Sequence, residues 1–197
     1  MGMSSDSSLL DPVLLDLPDE LHTERLMLRP PRAGDGPTVF TSLLETLPEL
    51  RRFPASLLWA QAEQTLPLAE IFCRRSAAQF ILRSDFAFMV FDRATGEHVA
   101  QCGLHRISWP HRVFEIGWWC RTRWQRTGRV TEAVRAVMEF AWGDCGARRI
   151  WCLADERNER SWKMAERVGL RYEGTLVGER TDPDGTRCDM RVYGLTR

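Results

Sequence analysis

The stretch Phe114 to Ala133, FEIGWWCRTRWQRTGRVTEA, changes its apolar period midway, and that change narrows the folds open to the chain. Phe114, Ile116, Trp118 and Cys120 recur at every second residue while Glu115, Gly117 and Trp119 occupy the opposite face, the pattern of a strand. From Val130 the apolar residues Val134, Val137 and Ala141 follow at spacings of four, three and four, with Ala133 and Met138 widening the stripe, the pattern of a helix. The turn between them carries Arg121, Arg123, Arg126 and Arg129, and Gly128 has no Cβ to hold a ligand off the main chain. The first amides of a helix lack partners within it and sit at the positive end of its dipole, so an anion meets donors already aimed. Four guanidinium groups around such a mouth suggest a polyanion, a pyrophosphate being the plainest. A single lysine, Lys163, stands among 27 basic residues, so an arginine-rich turn is what the composition supplies anyway. It is the spacing that marks this turn as a site.

The rest of the chain supplies a sheet around this unit. Met1 to Asp19 reads as a polar start followed by a short apolar arm between Pro12 and Pro18, leaving one domain over residues 21–197. Glu24 to Arg29 alternates as a first strand. Asp35 to Arg52 and Ala60 to Arg83 hold apolar residues at helical spacing, broken near Pro48 and Pro54. Phe86 to Phe91 and His98 to Ile107 flank the Thr95-Gly96 turn as a hairpin, and Phe114 to Cys120 adds to it. The helix from Val130 ends near Gly143, and Arg149 to Ala154 follows as a strand, which together make a right-handed parallel crossover. A helix from Asn158, stopped by Gly169, precedes a closing hairpin of Tyr172 to Leu176 and Cys188 to Leu195. The expectation is a single α/β domain with a mixed, mostly antiparallel sheet and a central parallel βαβ crossover. Formal net charge is zero, against nucleic-acid binding by phosphate neutralisation. No apolar run approaches a bilayer span and no signal peptide opens the chain, so a cytoplasmic protein without membrane contact follows. The six cysteines form no C-x-x-C pair and the four histidines no metal spacing, so no metal is expected and the thiols read as reduced and mostly buried.

Gln125-Arg126-Thr127-Gly128-Arg129-Val130, followed by Thr131-Glu132-Ala133, resembles the Q/R-x-x-G-x-G/A pyrophosphate loop of the GCN5-related N-acetyltransferases. Trp124 ahead of the loop is similar to the branch that acetylates ribosomal-protein N-termini, the RimJ/RimL-like enzymes, and the resemblance runs from Leu21 to Leu195. It implies acetyl-CoA as cofactor, with its pyrophosphate on residues 125–130 and its pantetheine lying between splayed strands against the main chain of Trp118, Trp119 and Cys120. An amide near Trp119 would face the carbonyl oxygen, Asn158 and Ser161 would face the thiol arm, and the two N-terminal helices would cover the acceptor cleft. The acceptor is then a primary amine, on a protein N-terminus or a small molecule, and a homodimer is compatible with this reading. Two positions depart from the family: Val130 replaces a small residue, and Ala165 stands where many relatives carry a Tyr acid, which leaves Ser161 as the thiolate's partner. These departures sustain an alternative, a non-catalytic acyl-CoA-binding module.

Acyl transfer to an amine needs alignment, donors for the carbonyl oxygen and a route for the ammonium proton. Glu115 is a candidate for that route because it shares a strand face with Trp119. Glu179 lies where the resembled branch has an acidic residue, and Asp189 is the third candidate. Cys120 could carry the acetyl group covalently only with a base beside it, and the sequence shows none.

Overall fold

A computed structural model describes residues 11–197, so the first half of the N-terminal arm lies outside the described residues. Its elements are β1 (Leu21–His22), β2 (Leu26–Arg29), α1 (Gly36–Leu50), α2 (Leu58–Gln61), α3 (Leu66–Ile81), β3 (Phe86–Asp92), β4 (His98–Ser108), β5 (Val113–Cys120), α4 (Arg129–Gly143), β6 (Arg149–Asp155), α5 (Glu159–Arg167), β7 (Arg171–Thr181) and β8 (Arg187–Thr196). The eight strands form one sheet in the order β1-β2-β3-β4-β5-β6-β8-β7. Only β5 and β6 run parallel, joined by α4, and all other neighbours are antiparallel.

Strand alternation sends side chains to two cores. Phe86, Phe88, Val90, Phe114 and Ile116 pack with Val134, Val137 and Ala141 of α4 and with Met164 of α5. Met89 and Trp119 point the other way and meet Val39 and Leu43 of α1 and Ala69 and Cys73 of α3. The sheet is thus covered on both faces. Leu17 of the arm packs against the first core, and Arg83 donates to the Leu15 carbonyl at 2.7 Å.

Several boundaries differ from the sequence reading, each for a local reason. Glu24 and Arg25 leave the first strand because Glu132 of α4 accepts from Thr23 Oγ1 (2.6 Å) and from Arg25 N (3.0 Å), which turns the chain there. Pro48 does not break α1. It lies in the last turn, and the helix runs only two residues past it, to Leu50. The apolar run from Ala60 to Arg83 is instead two helices. Thr65 caps α3 by accepting from Leu68 N, and Pro67 occupies the first turn, where proline suits a helix start. β7 continues past Leu176 to Thr181 through a register shift.

Candidate active site

The parallel seam is short. β5 and β6 pair only through Val113–Arg149, Phe114–Ile150 and Glu115–Trp151, although β5 runs on to Cys120 and β6 to Asp155. Beyond Glu115 the strands part, and the gap opens into a cavity of about 1090 Å³. Which backbone groups face the gap follows from the ladder on the other side of β5. Arg121 N donates to Val99 O, and bonded and non-bonded pairs alternate along an antiparallel ladder, so Trp119 bonds to Gln101 and Gly117 to Gly103. The N–H and C=O of Trp118 and the N–H of Cys120 therefore point into the gap. Near Trp119, the amide that is free toward the gap is that of Trp118, because the Trp119 amide is tied to Gln101. Trp119 serves the second core, where its indole Nε1 donates to Gln101 Oε1 at 2.8 Å. Unpaired main-chain donors and acceptors along an extended strand fit an amide-rich arm such as pantetheine.

The turn after β5 is less open than its four arginines suggest. Arg121 is buried and donates from Nε to Glu45 of α1 at 2.7 Å, and Arg123 shares that carboxylate. Arg129 donates from Nε to the buried Asp92 at 2.7 Å and stacks over Trp124 at 4.5 Å. Arg126 alone of the four has no acidic partner among the described residues, on a backbone with φ of 62°. Gly128 takes φ 80° as the residue ahead of α4, with no side chain capping the helix, so the first amides of α4 are free for an anion. A pyrophosphate fits this cradle through those amides and Arg126 more than through four guanidinium groups. Thr127 Oγ1 donates to Trp124 O at 2.7 Å, Gln125 Oε1 accepts from Arg160, and Val130 packs on the first core.

The other sequence candidates separate clearly. Asn158 caps α5 by accepting from Ser161 N at 3.2 Å, and both residues line the cavity. Glu179 lines it too, at an exposed position of β7. Asp189 does not: its carboxylate accepts from Gly178 N at 2.7 Å across the irregular stretch of β7 and β8, a structural role. The Cys120 thiol is also outside the lining. It donates to Arg121 O at 3.3 Å, and burial pushes it up to about 12, which leaves no thiolate to carry an acyl group. Glu115 sits at the root of the gap with its side chain 15% exposed and Arg106 Nη1 3.1 Å from Oε2. Burial raises its pKa, only partly offset by the charges of Arg106, His105 and Arg180.

Sequence reasoning passed over His105 and Asp85. His105 stands opposite Glu115 in the β4–β5 ladder, and its Nδ1 is 2.7 Å from Asp85 Oδ2. The two strands change register between His105 and Ser108, with Arg106 at φ 44°, a bulge of the kind that re-aims side chains. The hairpin register Phe86↔Leu104 sets Asp85 across from His105, but the pairing shifts by one residue between Val90 and Phe91, so a count outward from the Thr95-Gly96 turn misses it.

An α/β sheet with one splayed parallel seam, a cavity at the splay and a glycine-opened helix beside it defines an acyl-CoA site. The family model for the acetyltransferase (GNAT) domain matches residues 25–171. The uncharacterised N-acetyltransferase YoaA of Bacillus subtilis is 25% identical over 177 residues, covering 90% of this chain and 96% of its own. Among solved structures, RimL, a ribosomal L7/L12 α-N-protein acetyltransferase in complex with coenzyme A, superposes with a TM-score of 0.81 at 18% identity, covering 90% of this chain and 97% of its own. The microcin C7 self-immunity acetyltransferase MccE, in complex with acetyl-CoA and AMP, gives 0.79 at 17% identity over 89% and 94%. The chain belongs to the GNAT acetyltransferase family, and it is an acetyl-CoA-dependent N-acetyltransferase.

Proposed function

We propose that this enzyme transfers the acetyl group to a primary amine, on a protein N-terminus or a small molecule, by direct attack. The observation that carries the reading is the gap after Glu115–Trp151, where the free Trp118 N–H and the Glu115 carboxylate converge on one cavity. Acetyl-CoA supplies the thioester carbonyl. The amides opening α4 and Arg126 hold its pyrophosphate, and the main chain of Trp118 and Cys120 aligns the arm. Trp118 N–H meets the negative charge that develops on the carbonyl oxygen, a preorganised donor of the kind worth several kcal/mol. Ser161, at the cavity wall, hydrogen-bonds the departing sulfur. The ammonium proton leaves through the ionisable cluster at the root of the gap, to which Glu115 belongs. Glu179 at the rim is exposed to water, and Asp189 is committed elsewhere.

Release of free thiol from acetyl-CoA, measured with a panel of small amines and N-terminal peptides, tests this. Turnover on at least one acceptor is expected, lowered about 10²-fold by Glu115→Gln with acetyl-CoA affinity retained and unaffected by Asp189→Asn in the active fold. Binding of acetyl-CoA with no turnover on any acceptor would instead make the chain a binding module.

A further inference from the structure

The acyl-transfer reading leaves one question of chemistry: which group first receives the acceptor's proton. Glu115 is mostly buried, and Arg106 lies 3.1 Å from it. A better placed group stands beside it. His105 lines the cavity, and with Nδ1 bonded to Asp85 its Nε2 is the nitrogen left to the cavity side. Gly117 makes room for that ring edge: a Cβ there would lie 3.2 Å from His105 Cδ2 and 3.4 Å from Nε2. The ring edge therefore hangs over the residue just before Trp118, where β5 parts from β6. The bulge after His105 turns β4 at this point.

We propose that His105 is the catalytic base, taking the ammonium proton at Nε2, and that Asp85 is the positioning residue that fixes its tautomer and ring plane. This rests on the acetyl-transfer reading above. The groups facing the ring are Asp85 from the segment before β3, Arg106 on β4 and Glu115 on β5, with Arg180 of β7 close to Glu115. Burial alone would lower the histidine's pKa, but the Asp85 hydrogen bond and the charges of Asp85 and Glu115 outweigh it and raise it above the ordinary value. Glu115 then compensates the imidazolium. The step balances: His105 takes one proton from R–NH₃⁺ and returns it to solvent, the free amine forms the N–C bond as the C–S bond breaks, and the nitrogen's remaining surplus proton goes to the thiolate.

The test is the pH profile of kcat/KM for wild type, His105→Gln and Asp85→Asn, with acetyl-CoA affinity measured by calorimetry as the check on folding. Wild type should show an acid limb set by the histidine. His105→Gln should lose that limb and at least 100-fold in rate near neutrality while binding acetyl-CoA normally. Asp85→Asn should move the limb to lower pH with a smaller loss of rate, and this variant carries the test should His105→Gln not fold. An unchanged limb in either folded variant, or an equal loss at every pH, overturns the assignment while leaving acetyl transfer intact. Wild-type protein that turns over no amine overturns both.

Discussion

Two glycines face each other across β4 and β5, and adding one methyl group to each should have opposite consequences. Gly103 and Gly117 are ladder partners. A Cβ on Gly103 would be driven into the carbonyl oxygen of Phe86 and lie 3.0 Å from Ala87 Cα, both of them backbone that cannot rotate away. Relief requires β3 to slide from β4 at the Phe86–Leu104 and Ala87–Gly103 pairs. Two ladder hydrogen bonds at about 1 kcal/mol each, together with overpacking of about 1–3 kcal/mol where Phe86 and Phe88 must shift, give a loss of about 3–5 kcal/mol. For a domain of this size that lowers Tm by roughly 6–20 °C. A Cβ on Gly117 meets only the edge of the His105 ring, which can tilt. Stability of Gly117→Ala should stay within about 0.5 kcal/mol of wild type, since an unstrained strand gains from losing a glycine. The tilt strains the 2.7 Å bond to Asp85, and losing about 1.5 kcal/mol of that charge-assisted bond corresponds to roughly a tenfold fall in turnover. Urea denaturation and thiol release on both proteins check the pair. Equal destabilisation by the two alanines, or wild-type stability in Gly103→Ala, would refute the reasoning.

Other perturbations separate the parts of the site. Arg126→Ala should weaken acetyl-CoA binding by about 1.5–3 kcal/mol, less in high salt, and Gly128→Asp more steeply, both read by calorimetry. Asn158→Ala should lose about 1 kcal/mol of stability with its cap, whereas Ser161→Ala should change stability by well under 1 kcal/mol and lower turnover at unchanged cofactor affinity. That turnover defect should shrink with an acyl donor of more acidic thiol, and an equal defect on both donors returns Ser161 to structure. His98 is buried against Ser42, and burial and then the Arg121 charge depress its pKa to about 4. The stability held by neutral His98 is complete above its unfolded value near 6.5 and is lost as pH falls from there toward 4, on the order of 3 kcal/mol in all. Urea midpoints at pH 7 and pH 4.5 should therefore differ less in His98→Gln than in wild type, and equal pH slopes would contradict this.

What could be read in the chain was what lies close together in it. The period change inside Phe114 to Ala133 located β5 and α4 within a residue, and Asn158 with Gly169, observed at φ 96°, bracketed α5. Properties that depend on distant partners were not legible. Arg121 and Arg123 look free in sequence because their partner Glu45 sits in α1, and Arg129 because Asp92 ends β3. Asp189 looked available because a hydrogen bond to Gly178 depends on a register shift that no local pattern announces. His105 carried no local signal because its partner lies 20 residues back, beyond a hairpin.

The short seam between β5 and β6 also writes a pattern in time. Along β5 beyond Glu115, the amides of Gly117 and Trp119 are tied to β4, while those of Trp118 and Cys120 face the gap. Amide hydrogens exchange with solvent at rates set by such bonds, so in the free enzyme protection should alternate residue by residue along a single strand, slow at 117 and 119 and fast at 118 and 120. An extended arm lying in the gap would complete the missing ladder and slow the fast pair selectively. The strand would then report, by which of its protons persist, how far along it the donor's chain has settled.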